Sequence, residues 1–187
     1  MIEDPDAELV ARAGRGDRAA ARALINRHAP KLMSLARRML NDPFEAEDAV
    51  QESFLRLWKH AAAWRPGQAR FETWLYRVAL NQCYDRLRRR QTTSLDDAAH
   101  VADPAHDPEA ALRRSDTAKA VTSAIAVLPD RQRAAIVLCH FQDCGNVEAA
   151  EILGISVEAL ESLLARGRRA LRVRLRDLGE GLGVFER

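Results

Sequence analysis

Apolar residues recur at spacings of three and four along nearly the whole chain. No stretch alternates apolar and polar positions as a half-buried strand would, so the pattern predicts an all-α protein. Asp17, after the Gly14–Gly16 break, caps a helix from Arg18 whose buried stripe is Leu24, His28, Leu32, Leu35 and Met39. Pro30 lies inside it and is expected to kink or split it. Asp42-Pro43-Phe44-Glu45 is a second start signal, with Asp42 as cap and Glu45 completing a capping box. The helix it opens buries Val50, Phe54, Leu57 and Ala61, and presents Asp48, Gln51, Glu52, Arg56 and Lys59. Pro66-Gly67 ends it in a loop. A third helix, from about Phe71 to Arg90, has an apolar face of Phe71, Trp74, Leu75 and Val78. Arg77, Asn81, Tyr84 or Asp85, and Arg88 share another face.

From Thr92 to Pro108 the helical period is lost and Ser, Thr, Asp and Pro dominate, which reads as a flexible linker. Helices resume near Glu109, and Pro129 stops the first of them. Asp130 is placed to cap the next, which carries Ile136, Val137 and Phe141, and Asn146 to cap Val147–Leu153. Gly154-Ile155-Ser156 forms a tight turn, and Ser156 caps a last helix to about Arg176. Ala150, Gly154, Leu160 and Leu164 are spaced as in a helix-turn-helix: a small residue at the helix contact, Gly at the turn, apolar anchors beyond it. An ordinary αα-hairpin has the same spacing. The chain thus divides into residues 1–91, a linker 92–108, and residues 109–187.

Charge distribution adds to this picture. Residues 1–90 hold 17 Lys and Arg against 12 Asp and Glu, residues 91–111 none against five, and residues 112–187 12 against 10. Two basic segments flanking an acidic strip are the footprint of two nucleic-acid-facing units on a tether. The run Arg86-Leu87-Arg88-Arg89-Arg90, near Trp74, Asn81 and Tyr84, suits single-stranded DNA, although Trp74 also fits a core position. Arg166, Arg168, Arg169, Arg172, Arg174 and Arg176 continue the second helix of the helix-turn-helix, where Arg serves phosphate and guanine edges or simply a solvated face. Glu45, Glu47, Asp48 and Glu52 would repel DNA and so suit a protein partner, or solvent alone.

The remaining chemistry is sparse. Cys139-His140 with Cys144 lacks a fourth ligand and a CxxC spacing, so no metal is expected; Cys139 reads as core and Cys144 as an exposed turn thiol. No nucleophile–base pair or phosphate loop is present, so neither an enzyme nor a cofactor is expected. Cys83, Cys139 and Cys144 make no disulfide framework. No run of about 18 apolar residues spans a membrane. Met1 to Asp6 is acidic, without a signal sequence's apolar segment, so a cytoplasmic protein is expected.

Three segments carry a family resemblance. Asp48-Ala49-Val50-Gln51-Glu52-Ser53-Phe54 through Trp58 resembles the region 2.2 signature of sigma factors. Phe71-Glu72-Thr73-Trp74-Leu75-Tyr76-Arg77-Val78-Ala79-Leu80-Asn81 resembles their F-x-T-W-L-x-R-I-A-x-N. Ala149-Ala150-Glu151-Ile152-Leu153-Gly154-Ile155-Ser156-Val157 resembles region 4. The order of the motifs, and the short linker in place of a region 3 domain, resemble the extracytoplasmic-function (ECF) group, which implies two helical domains and promoter-specific transcription initiation with core RNA polymerase. By that resemblance Asp48, Gln51, Glu52 and Phe54 would meet the polymerase β′ clamp helices, and the C-terminal unit the β flap. Arg65, Arg70 and Asn81 would recognise the −10 element, while Arg77, Tyr84, Arg88 and Arg89 hold its strand. Ser156, Glu158, Ala159, Ser162, Arg166, Arg168 and Arg169 would face the −35 major groove. The acidic linker would thread the polymerase channel.

Glu161 and Leu163 stand where the family usually has Lys and Arg, so those base contacts do not carry over and binding leans on the later arginines and groove shape. The resemblance also implies an anti-sigma factor, wedged between the domains, that silences the chain until a stress signal. Overall likeness is to an RpoE-like subgroup paired with ChrR-type zinc-binding anti-sigma factors. A free-standing helix-turn-helix repressor would leave residues 43–90 unexplained, and a sigma mimic that only titrates an anti-sigma factor would leave both arginine clusters unexplained.

The linker reading makes a first prediction. Proteases of broad specificity should cut first between Gln91 and Leu112, leaving two fragments that each stay helical by circular dichroism. One uncleaved, protected body would contradict two domains.

Overall fold

The computed structural model describes residues 4–61, 70–93 and 110–181. Among them are eight helices and no strand: α1 Ala7–Gly14, α2 Arg18–Leu40, α3 Pro43–His60, α4 Phe71–Thr93, α5 Ala110–Ala126, α6 Asp130–Phe141, α7 Asn146–Leu153 and α8 Val157–Gly181. The expected linker, apart from its first residues in α4, and the loop holding Arg65 and Pro66-Gly67 lie outside the described residues.

The start signals act as read in two places. The Asp17 carboxylate accepts the N–H groups of Ala19 and Ala20, and the Asp42 carboxylate those of Phe44 and Glu45. Glu45 does not close the capping box; it pairs with Arg90, 2.9 Å away. Two expected caps are corrected. Asp130 and Asn146 are the first residues of their helices, behind Pro129 and Gly145, and neither helix has a side-chain cap. Pro30 does not split α2. It lies on the exposed side, while the Leu24, His28, Leu32, Leu35 and Met39 stripe stays buried on the other and holds the helix together across the missing N–H.

Helix α1 escapes the periodic reading because only Val10 of its residues is fully buried. Its entry segment is held by carboxylates instead. Buried Asp6 accepts from His28 Nε2 at 2.8 Å and from Arg27. Asp4 accepts the Phe71 N–H at 2.5 Å. The residue before α4 is Arg70, whose side chain has no acceptor for the helix's free N–H groups, so a carboxylate 67 positions upstream does the capping. The His28 ring meets Phe71 edge-on at 5.4 Å, and Phe71 stacks on Trp74 at 6.0 Å, which places Trp74 against the core.

In the C-terminal part α6 is buried along Arg133–Leu138, between α8 on one side and α2 on the other. Gly154 ends α7 at φ 62°, the left-handed conformation that the tight turn requires. Ser156 then accepts the Ala159 N–H at 3.2 Å, as a cap should. The two halves of the chain are in direct contact: α2 packs on α5 and α6, and α4 on α7. One buried cluster runs through both, from Val10 to Leu164.

The α6–α8 contact generates a second prediction. A Cβ on Gly167 would lie 2.9 Å from Ile136 Cγ1, and Ile136 is fully enclosed. Gly167→Ala should gain about 1 kcal/mol of helix propensity. It should lose about 1–3 kcal/mol to overpacking, so the expected sign is destabilising. Urea denaturation of Gly167→Ala, Ile136→Ala and the double variant checks this: the double variant should be more stable than the sum of the singles allows.

Candidate polymerase and promoter-DNA interfaces

Helix α3 exposes a mixed face. Phe44, Asp48, Gln51 and Leu55 follow one another at spacings of four, three and four and are all exposed, Phe44 at 78% and Leu55 at 50%. Glu47 is exposed beside them, and Glu52 reaches Arg56 at 3.6 Å. Phe54 is corrected: it is 7% exposed and packs on Trp58 in the core, so it is unavailable to a partner. Its motif position marks the helix's buried side. The apolar contributions to this face are Phe44 and Leu55, which the sequence reading missed; each sits four residues from an acidic or amide position on the polar stripe, where no core role accounts for it.

Helix α4 carries the second face. Arg77, Asn81, Arg88 and Arg89 are exposed, Tyr84 is half-buried, and Arg70 is exposed just before the helix. Arg88 pairs with Asp85. The basic run is less uniform than its sequence suggests. Arg90 turns back to donate to the Leu40 carbonyl and Glu45, and Arg86 donates to Gln82, so both serve structure. Burial raises the Tyr84 hydroxyl to about 12, and the hydroxyl has no hydrogen-bond partner among the described residues. Arg77, Leu80, Asn81 and Tyr84 form one wall of a cleft of about 570 Å³; Asp130, Arg131 and the end of α7 form the other.

The third face is α8. Leu160, Leu164 and Gly167 are buried, which turns Glu158, Ala159, Glu161, Ser162, Arg166, Arg168 and Arg169 outward. At about 100° per residue Arg169 falls near the middle of that exposed face, with Arg166 and Arg168 on opposite flanks. The face is acidic at its N-terminal end and basic beyond. Glu158 is held below the ordinary carboxyl range by its own N–H and by Ser156, which suits a helix N-terminus. Arg166 and Arg169 share a shallow hollow with Gln132, Ala170, Val173 and Arg174.

No cluster that could hold a metal occurs among the described residues. Cys139 is half-buried, while Cys144 is corrected from an exposed thiol to a buried one, raised to about 12 by burial. No helix among the described residues is long and apolar enough to cross a membrane.

Comparisons with known proteins bear on the family. The sigma-70 region 2 family model matches residues 24–93, which include α3 and α4, and the sigma-70 region 4 model matches residues 118–171, which include the helix-turn-helix. The chain is 32% identical to the ECF RNA polymerase sigma factor SigW of Bacillus subtilis, over 88% of this chain and 93% of that protein. It is 35% identical to the ECF sigma factor SigM of Mycobacterium tuberculosis, over 97% and 90%. It superposes on CnrH, solved in complex with the cytosolic domain of CnrY, with a TM-score of 0.70, 29% identity and coverage of 93% and 99%. Family models over both helical units and near-full-length relatives above 30% identity leave one assignment: the chain belongs to the ECF RNA polymerase sigma factors, transcription regulators of the sigma-70 family.

Proposed function

We propose that this sigma factor divides its work among the three faces: α3 holds core polymerase, α4 reads the opened −10 element, and α8 enters the −35 major groove. The observation that carries this reading is the α3 stripe. Two exposed apolar side chains flanking Asp48 and Gln51, on a helix otherwise anchored in the core, suit a protein surface and repel nucleic acid. The basic, exposed positions on α4 and α8 are then left for DNA. The C-terminal unit docks on the β flap, and the acidic linker follows the polymerase channel. The chain works in the cytoplasm, in a stress response. An anti-sigma factor silences it; general likeness to the RpoE-like subgroup favours a zinc-binding one, the zinc belonging to that partner.

Core binding is tested on α3. Asp48→Arg with Glu52→Arg should weaken association with core polymerase about tenfold or more while circular dichroism stays unchanged, because like charge then faces a matched surface. Undiminished binding by the folded variant would remove α3 from the interface. Phe44→Ala should weaken it in the same direction.

The DNA assignments differ in their salt signatures. Asn81→Ala should change discrimination at one −10 position by about 1–3 kcal/mol and leave the salt dependence alone, since no phosphate contact is lost. Arg168→Ala, if the side chain meets phosphate, should lower affinity for all −35 sequences alike and reduce the salt slope by about one unit. Relaxed preference at a single −35 position would assign it to guanine instead. Normal −35-dependent transcription from a variant lacking Arg166, Arg168 and Arg169 together would exclude α8 from DNA.

A further inference from the structure

Helix α4 starts behind a residue type that helix starts disfavour. Arg70 stands immediately before it, and its carbonyl accepts the Trp74 N–H at 3.1 Å, so Arg70 occupies the capping position. Asp, Asn, Ser and Thr are favoured there because a short side-chain oxygen meets the free N–H groups of the first turn. A guanidinium offers no acceptor, and its charge opposes the positive end of the helix.

The missing acceptor comes from far upstream. Asp4 Oδ2 accepts the Phe71 N–H at 2.5 Å, and Asp4 Oδ1 accepts the Asp6 N–H at 2.9 Å. Asp6 is fixed in its turn. It occupies the capping position of α1 but makes no side-chain cap bond there. Its carboxylate, 3% exposed, is directed at α2 instead, where it takes Arg27 and, at 2.8 Å, Nε2 of buried His28. The His28 ring lies against Phe71, and Lys31, one turn further along α2, donates to Glu72 at 2.7 Å. Two helix starts thus depart from the local rule together: the carboxylate at one leaves its own helix uncapped, and the arginine at the other is served by a distant carboxylate. A local rule broken at one position and restored from elsewhere marks a residue kept for function rather than for folding.

We infer that Asp4 and Asp6 form a clasp that positions Arg70 for the promoter strand: Asp4 supplies the capping that Arg70 does not, and the Asp6–His28 pair fixes Asp4 and Phe71 relative to α2. This rests on the −10 role proposed for α4 and Arg70. Asp4 and Asp6 are positioning residues and touch no DNA. The clasp acts on the first turn of α4 alone. Asn81 lies about three turns along, on a stretch anchored separately by buried Leu75, Ala79, Leu80 and Cys83. Loss of the clasp therefore loosens Arg70 and leaves Asn81 in place.

Holoenzyme assembled from the full chain and core polymerase tests this on single-stranded −10 oligonucleotides in which each base is replaced in turn. Arg70→Ala should relax preference at one position. Asp4→Ala should relax the same position about fivefold, the scale of one lost helix cap. Asp4→Asn, which retains one acceptor oxygen and the side-chain volume, should fall between Asp4→Ala and the parent. Asp4→Ala combined with Arg70→Ala should be no worse than Arg70→Ala alone, whereas Asn81→Ala should act at a different position and add. Ile136→Ala, destabilising but remote, should move no preference, which separates positioning from loss of stability. In the free chain, amide exchange should accelerate at Phe71 in Asp4→Ala and stay slow at Leu80. Parent-like preference at every position in both Asp4 variants, or an Asp4→Ala effect that persists undiminished when residue 70 is already alanine, overturns the clasp and leaves the −10 role standing. A silent Arg70→Ala beside an active Asn81→Ala also overturns it, because the clasp then positions nothing. If neither Arg70→Ala nor Asn81→Ala changes any preference, the −10 role falls and the clasp with it.

Discussion

The C-terminal end of α2 is the point on which the arrangement turns. A helix end leaves its last carbonyls without partners, and inside a protein each must be met. Here three donors divide the task. Asn41, at φ 51°, turns its N–H back to Arg37; Arg90 of α4 takes Leu40; Arg133 of α6 takes Met39. One helix end is thereby joined to both halves of the molecule. Helix α2 packs on α1, α3, α4, α5 and α6, so the orientation of α3 and of α4 about it, and of the helix-turn-helix against both, follows from how that end is satisfied.

The division of charge among the faces has a physical logic. The arginines nearest the core, Arg86, Arg90 and Arg133, are spent on carbonyls and carboxylates of the protein itself. Those left outward on α8 lie beyond its first turns, while Glu158 and Glu161 occupy the N-terminal end, where the helix dipole favours acid. In the proposed −35 role the positive charge available to DNA therefore comes from the later turns of α8. Arg77 is engaged in the same way as the core arginines, donating to the Glu151 carbonyl of α7.

Much of this was legible without coordinates. The helical class follows from the three- and four-residue period; the starts at Asp17, Asp42 and Ser156 follow from local capping chemistry; the family follows from three ordered motifs. Local rules failed where a distant residue supplied what the local sequence lacked. Phe71's N–H is capped by Asp4, and Pro30 is tolerated because the opposite side of its helix is anchored. For Phe54 the local period was right, and the partner contact implied by the family resemblance was not. Arg90 looked like part of a DNA-binding run because its partners, Glu45 and Leu40, are 45 and 50 positions away.

Sequence by itself determined which segments are helical, which stripe of each is apolar, and that two basic units flank an acidic connection, because periodicity, capping and charge are properties of neighbouring residues. Tertiary structure alone decided which polar side chains remain free for partners and which close the molecule on itself. Arg133, Gln142, Tyr76 and Arg77 carry no mark in the sequence that separates them from surface residues. Their roles come from desolvation and from carbonyls brought within reach by helices far apart in the chain, and neither exists until α6 and α7 pack against α2 and α4.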